Sequence, residues 1–203
     1  MKIFQKIKTL GFFASIECLI KTLHLYYLQR KFGFDNWHVK ADYSCKPYKK
    51  QVVDIVNSLP DIDVAVEVGC GLGDILNKIN VKNRIGIDID QNAIECASLL
   101  RPNLNFYLGG LNDVEKYIKK KKNMVIMAIN WTHNINFKDL VYNFSKVINE
   151  YSENCYIVVD IIKPNVKNYK YKHTIDDYEK YFKVCSSIDS VDEVRTFLTL
   201  SKL

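Results

Sequence analysis

VAVEVGCGLGDIL, residues 64–76, packs three of the chain's eight glycines into five positions. An apolar, β-branched run leads in, and Glu67 stands just ahead of Gly69. Glycines spaced this way between a strand and a helix let backbone N–H groups come close to a ligand. The dinucleotide fingerprint is G-x-G-x-x-G. Here Gly73 comes one residue too early and Asp74 holds its place, which argues against a nucleotide-binding oxidoreductase. Further on, Asp88 ends the run RIGID at the tip of a second strand. A carboxylate there can accept hydrogen bonds from both hydroxyls of a ribose, while Asp90 suits the cap of the next helix.

Outward from this stretch, strands and helices alternate. DILNKI reads as a helix start, RIGIDI as a strand, QNAIECASLL as a helix and LNFYLG as a third strand. LNDVEKYIKK, MVIMAIN, FKDLVYNFSKVINEY and CYIVVDII continue as helix, strand, helix and strand. TIDDYEKYF adds a helix, and KVCSSID and VRTFLTLSKL are strands too closely linked for a parallel crossover. The pattern predicts an α/β, Rossmann-like fold. Its sheet is seven-stranded and mostly parallel, with helices on both faces and a C-terminal antiparallel hairpin.

Residues 48–203 form this domain, and residues 1–47 read as an N-terminal helical cap or lid. In the cap, Ile3, Ile7, Leu10, Phe13, Ile20, Leu23 and Tyr27 recur at helical spacings and make one apolar face. Gly11 and Gly33 are breaks, FDNWHVKADYSCKPYKK reads as a loop, and PYKKQVVDIVNSLP as a helix closed by Pro60.

Glu67-Val68-Gly69-Cys70-Gly71-Leu72-Gly73 resembles the E/D-x-G-x-G-x-G motif of class I S-adenosylmethionine-dependent methyltransferases, and IGIDID resembles their second-strand motif. The likeness runs from about residue 48 to the C-terminus. It implies S-adenosylmethionine as cofactor. Glu67 would hold its methionine end, and Gly69, Cys70, Gly71 and Gly73 would run beside it. Asp88 would bind the ribose, with Ile89 and Leu111 at the adenine and Asn130 completing the wall. Gly110 stands where many members carry an acid for the adenine amino group, so Asn112 or Asp113 would have to replace it. The segment KFGFDNWHVKADYSCKPYKKQVVDIVNSL is similar, more loosely, to methyltransferases of bacterial surface-polysaccharide synthesis. That likeness implies O-methylation of a small molecule or glycan acceptor, such as a sugar or a phosphorylated sugar derivative.

Acceptor residues are expected beyond the fourth strand, which ends Asn130-Trp131-Thr132-His133-Asn134. His133 is the candidate general base, since imidazole titrates near neutrality, and Trp131 the candidate pocket wall. His38 and Tyr43 would face the acceptor from the lid, and Tyr171 from KPNVKNYKYKH (residues 163–173), whose lysines suit an anion. The lysine run at 119–122 ends a helix and needs no other role. The chain has no Pro-Pro or Pro-Cys dipeptide of the kind base-modifying methyltransferases carry, so nucleic acid is disfavoured. Asp160 has no Asp-Asn pair beside it, and no metal is expected. RNA methylation and a non-catalytic cofactor-binding subunit stay open as alternatives.

Net charge is +6, which permits an anionic substrate, a membrane surface or RNA and selects none. Six scattered cysteines, with no C-x-x-C, read as reduced thiols of a cytoplasmic protein. The N-terminus is interrupted by Glu17 and Lys21, so neither a signal peptide nor a transmembrane span is expected. Its basic, amphipathic character suits packing on the domain, dimerisation, or contact with the inner membrane surface.

Overall fold

The computed structural model describes residues 12–40, 42–118, 123–151, 154–167 and 169–203. Gly11, the stripe residues Ile3, Ile7 and Leu10, and the 119–122 lysine run lie outside them. Seven strands are present: β1 (Val64–Val68), β2 (Asn83–Asp88), β3 (Asn105–Leu108), β4 (Met124–Ala128), β5 (Cys155–Ile162), β6 (Lys183–Asp189) and β7 (Arg195–Ser201). They form one sheet in the order β3-β2-β1-β4-β5-β7-β6. All neighbours are parallel except β5–β7 and β6–β7, so the expected antiparallel hairpin closes the sheet.

β1 and β4 are buried along their whole length, as central strands covered on both faces must be. Side-chain alternation splits their residues between two cores. Val64, Val66, Val68, Ile126 and Ala128 join one, under α6 (Phe137–Tyr151). That helix contributes Leu140, Phe144, Val147 and Ile148, spaced along one face. Ala65, Val125 and Met127 join the other, under α3 (Pro47–Asn57), which turns Tyr48, Val52, Val53 and Val56 inward. Glu67 and Asp160 fall on this second face by the same alternation. α4 (Gln91–Leu100) starts at Asp90, whose Oδ1 accepts from the Asn92 and Ala93 amides at 2.9 and 3.1 Å.

Three expectations are corrected. The helix after the glycine turn is only a 3-10 turn, Leu76–Lys78. The segment 69–82 that joins β1 to β2 is near the shortest parallel crossover, and leaves no room for more. The 34–46 stretch is not plain loop. It holds α2 (Asn36–Lys40), started by the Asp35 carboxylate accepting from Trp37 N at 2.7 Å, and a 3-10 turn at Tyr43–Cys45. Finally, Cys18 and Cys45 form a disulfide, with their Cα atoms 5.3 Å apart; Cys70, Cys96, Cys155 and Cys185 are free thiols.

The long helix α1 (Phe12–Phe32) ends at Gly33, whose φ of +79° breaks it as expected. Its Leu25 and Leu28 pack with Phe34, Val39 and Leu72 against Ala93 and Cys96 of α4. The stripe read from the sequence does not make this contact. Phe13, Ile20, Leu23 and Tyr27 all face away from the domain.

Candidate active site

β1 lies between β2 and β4, so the chain changes direction across the sheet at this point. Ligands of open α/β sheets bind beyond the carboxyl ends of the strands there. A cavity of about 600 Å³ opens at this place. Its wall takes Glu67 to Leu72 from the end of β1, Asp88 to Asp90 from β2, Gly109 to Leu111 after β3, and Ile129 to Trp131 after β4. α2 adds Trp37 and His38, with Asp35 before it, and α3 adds Tyr48 and Lys49.

The glycine turn is left-handed three times, with φ of +71° at Gly69, +51° at Gly71 and +69° at Gly73. No other residue adopts such a run without strain. Yet four of its amides are bonded within the chain. Gly69 N and Cys70 N donate to Ile87 O at 2.8 and 3.1 Å, and Gly73 N donates to Cys70 O at 2.9 Å. Gly71 N donates to Asp88 Oδ2 at 2.7 Å. The close approaches are made by the chain itself. A Cβ on Gly69 would lie 2.5 Å from Trp131 Cδ1, and one on Gly71 2.6 Å from His38 Nδ1. Gly73 is outside the cavity wall and packs under Phe106 and Arg101.

What the wall offers is acceptors. Asp88 Oδ2 takes the Gly71 amide and Oδ1 the Asp90 amide at 3.0 Å. A carboxylate has about four acceptor positions, so two remain. Glu67 is buried, and Oε2 accepts from Leu76 N at 3.1 Å. Burial pushes its carboxyl up to about 8, against the pull of Lys49 and of that amide. Lys49 Nζ stands 3.3 Å from Asp74 Oδ2, whose partner oxygen takes Arg101 at 2.7 Å. Burial raises the Asp74 pKa, but the two cations more than offset it and the net shift is downward. Ile89 holds an apolar side chain out at the cavity rim, 81% exposed, opposite the buried Leu111.

The loop after β4 is braced from below. Asn130 has a φ of +71°, and its amide donates to Asp160 Oδ1 at 2.7 Å. Arg195 Nη1 donates to Asn130 Oδ1 and to Asp160 Oδ2, both at 2.8 Å. The Tyr48 ring lies over the Arg195 guanidinium, 4.2 Å from its centre. Trp131 Nε1 donates to Val68 O at 2.6 Å, so the indole lies along the glycine turn.

Of the residues singled out from the sequence, the structure gathers Glu67, Gly69, Cys70, Gly71, Asp88, Ile89, Gly110, Leu111, Asn130, Trp131 and His38 around this cavity. Asn112 and Asp113 are not in its wall. Asp113 accepts from Gly110 N and pairs with Lys116 instead. His133 lies off the wall as well. Thr132–Asn134 forms a 3-10 turn that sends Trp131 and Asn134 to the cavity and His133 inward, edge-on to Tyr169. Its Nδ1 is buried without a partner among the described residues, and burial holds its pKa below the ordinary value. Tyr43 and Tyr171 are also off the wall. Tyr43 N donates to Asp74 and Tyr171 N to His133 O.

Residues missed by sequence reasoning are Lys49 and the Asp160–Arg195 pair, which no local motif marks. His38 Nε2 lies 3.5 Å from Asp90 Oδ2, so the imidazole has a carboxylate behind it. Among the described residues no group of three or more His, Cys, Asp or Glu is placed to hold a metal ion.

The sequence matches no protein-family model and no curated protein. Solved structures do match in fold. The N-methyltransferase NodS from Bradyrhizobium japonicum WM9, in complex with S-adenosyl-L-homocysteine, has a TM-score of 0.64 at 12% identity, covering 87% of this chain and 97% of that one. Magnesium protoporphyrin IX methyltransferase from Synechocystis PCC 6803 with bound SAH has a TM-score of 0.60 at 13% identity, covering 88% and 94%. A TehB-like SAM-dependent methyltransferase from Corynebacterium glutamicum has a TM-score of 0.58 at 15% identity, covering 77% and 88%. At these identities the likeness establishes the shared fold.

Proposed function

We propose that the protein is an S-adenosylmethionine-dependent methyltransferase acting on a hydroxyl of a small molecule, with a sugar derivative the favoured acceptor. The observation that carries this reading is the polarity of the cavity. Its strand tips present the Asp88 carboxylate and the Glu67 carboxyl, and four of the turn amides are taken up within the chain. Such a wall suits a ligand rich in donors and positive charge, as the ribose hydroxyls, ammonium and sulfonium of this cofactor are. It does not suit a pyrophosphate, which needs free amides at the turn and a helix behind it.

Asp88 would hold the ribose with its two open acceptor positions, and Ile89 and Leu111 would flank the adenine. Glu67 would face the methionine end, and Lys49 is the lysine in the wall available to its carboxylate. When bound, S-adenosylmethionine supplies an electrophilic methyl group. The chain's own part is to orient the acceptor and to exclude water, for which the Trp37 and Trp131 rings line the cavity. A hydroxyl acceptor must lose a proton. His38, at the wall and backed by Asp90, takes the role that the sequence suggested for His133. The acidic wall favours an uncharged or cationic acceptor over a phosphorylated sugar. Residues 1–47 would act as the lid that carries His38, and a glycan pathway is consistent with the N-terminal likeness.

Calorimetry with S-adenosylhomocysteine tests the cofactor assignment. The wild type should bind, and Asp88→Ala should weaken binding about 10- to 100-fold through lost charge-assisted hydrogen bonds. Binding of NADH in its place, or equal binding by the variant, would refute the assignment.

A further inference from the structure

α1 is apolar on two sides, and the domain uses only one. Cys18, Leu25 and Leu28 are buried. Phe12, Phe13, Leu19, Ile20, Leu23 and Tyr27 are exposed, Phe13 by 85% and Leu23 by 63%. At 3.6 residues per turn these side chains span an arc of about 120°. A helix with apolar residues all round needs cover all round. Rolling α1 inward would not supply it, because the Cys18–Cys45 disulfide ties the opposite face to the Tyr43–Cys45 turn.

We propose that this outer face docks the protein on an anionic lipid bilayer, with α1 lying in the plane of the interface. Charge selects the lipid. Residues 1–31 carry six Lys and Arg, at 2, 6, 8, 21, 30 and 31, against the single acid Glu17. Glu17 is itself paired with Lys21. Tyr26 and Tyr27 are exposed beside Arg30 and Lys31, a mix of aromatic rings and cations that suits a helix lying at the headgroups. A second copy of the chain fits less well. Paired helices specify each other through charges beside the apolar seam; here one border carries Ser15, Thr22 and Gln29, and the other a Glu17–Lys21 pair already closed within the same helix. No helix among the described residues is long and apolar enough to cross a membrane, so the contact is with the surface.

The proposal rests on α1 and the charge of residues 1–31, and stands or falls apart from methyl transfer. The full chain, without cofactor, is sedimented with vesicles of neutral phosphatidylcholine and with vesicles containing about 30% phosphatidylglycerol. Binding to the anionic vesicles is expected to be about tenfold tighter and to weaken at high salt. Phe13→Glu with Leu23→Glu should abolish it while leaving the thermal melt unchanged, both positions being exposed. Lys31→Glu should reduce only the preference for anionic lipid. Absence of vesicle binding, or binding indifferent to the double substitution, overturns the proposal. So does a dimer in sedimentation velocity that the same double substitution dissociates, which would give the face to a second copy.

Discussion

At Glu67 a carboxyl is buried with one amide and Lys49 for company, which is too little to keep it ionised at neutral pH. The folded group holds its proton to about 8, whereas in the unfolded chain it titrates near 4.5. Between those values the folded state binds more protons, so stability contributed by this residue is complete at low pH and is lost as pH rises toward 8. Glu67→Gln keeps the shape and removes the titration. Its thermal midpoint should fall less than that of the wild type from about pH 5 to about pH 8, as read by calorimetry. His38 and His133 make a second test at this scale. His38→Ala should lower turnover about 10²- to 10⁴-fold, the range for loss of a general base, and His133→Ala should leave turnover within about threefold. Equal loss from both would return the role to His133. That residue shows what a single chain of letters withholds. Imidazole chemistry after β4 was legible, but the turn at Thr132–Asn134 decides which of its neighbours reach the cavity.

Among elements, the loop after β4 depends on β5 and β7. Asp160 and Arg195 are both buried, and Arg195 bonds both Asp160 and Asn130, beside the direct bond from the Asn130 amide to Asp160. Arg195→Met would leave a buried carboxylate without its cation, at a cost of about 3–5 kcal/mol in denaturant unfolding. Adding Asp160→Asn should recover part of it. If the single change costs under about 1 kcal/mol, the pair is not the brace. The seven strands and the terminal hairpin were readable because buried strands and short links obey period and length. Asp88 was readable because it ends a strand. The glycine spacing foretold close approach at Gly69 and Gly71, but not that Trp131 and His38 would make it. Period likewise disclosed the α1 stripe of Phe13, Ile20, Leu23 and Tyr27. Which side meets the domain is set by Ala93 and Cys96 of α4, far along the chain.

For the molecule as a whole, the N-terminal segment is joined to the rest by a small apolar contact and a few hydrogen bonds, and one covalent tie holds α1 to the Tyr43–Cys45 turn within it. The disulfide bridges 27 residues of sequence, and closing a loop of that size stabilises by about 3 kcal/mol. Thiol titration of the unfolded, unreduced protein should find four reactive groups, and six after reduction. Reduction should also lower the melting temperature; six thiols at the outset would remove the bridge from the account. The cavity wall holds one more property of the entire chain. Its two tryptophans, Trp37 on the segment that covers the site and Trp131 on the sheet's loop, both line that space. All indole emission therefore originates at the cavity wall, and the protein comes with a built-in optical probe. Any occupant should quench or shift that fluorescence in the unlabelled wild type, which turns a search for the acceptor into a titration at a single wavelength.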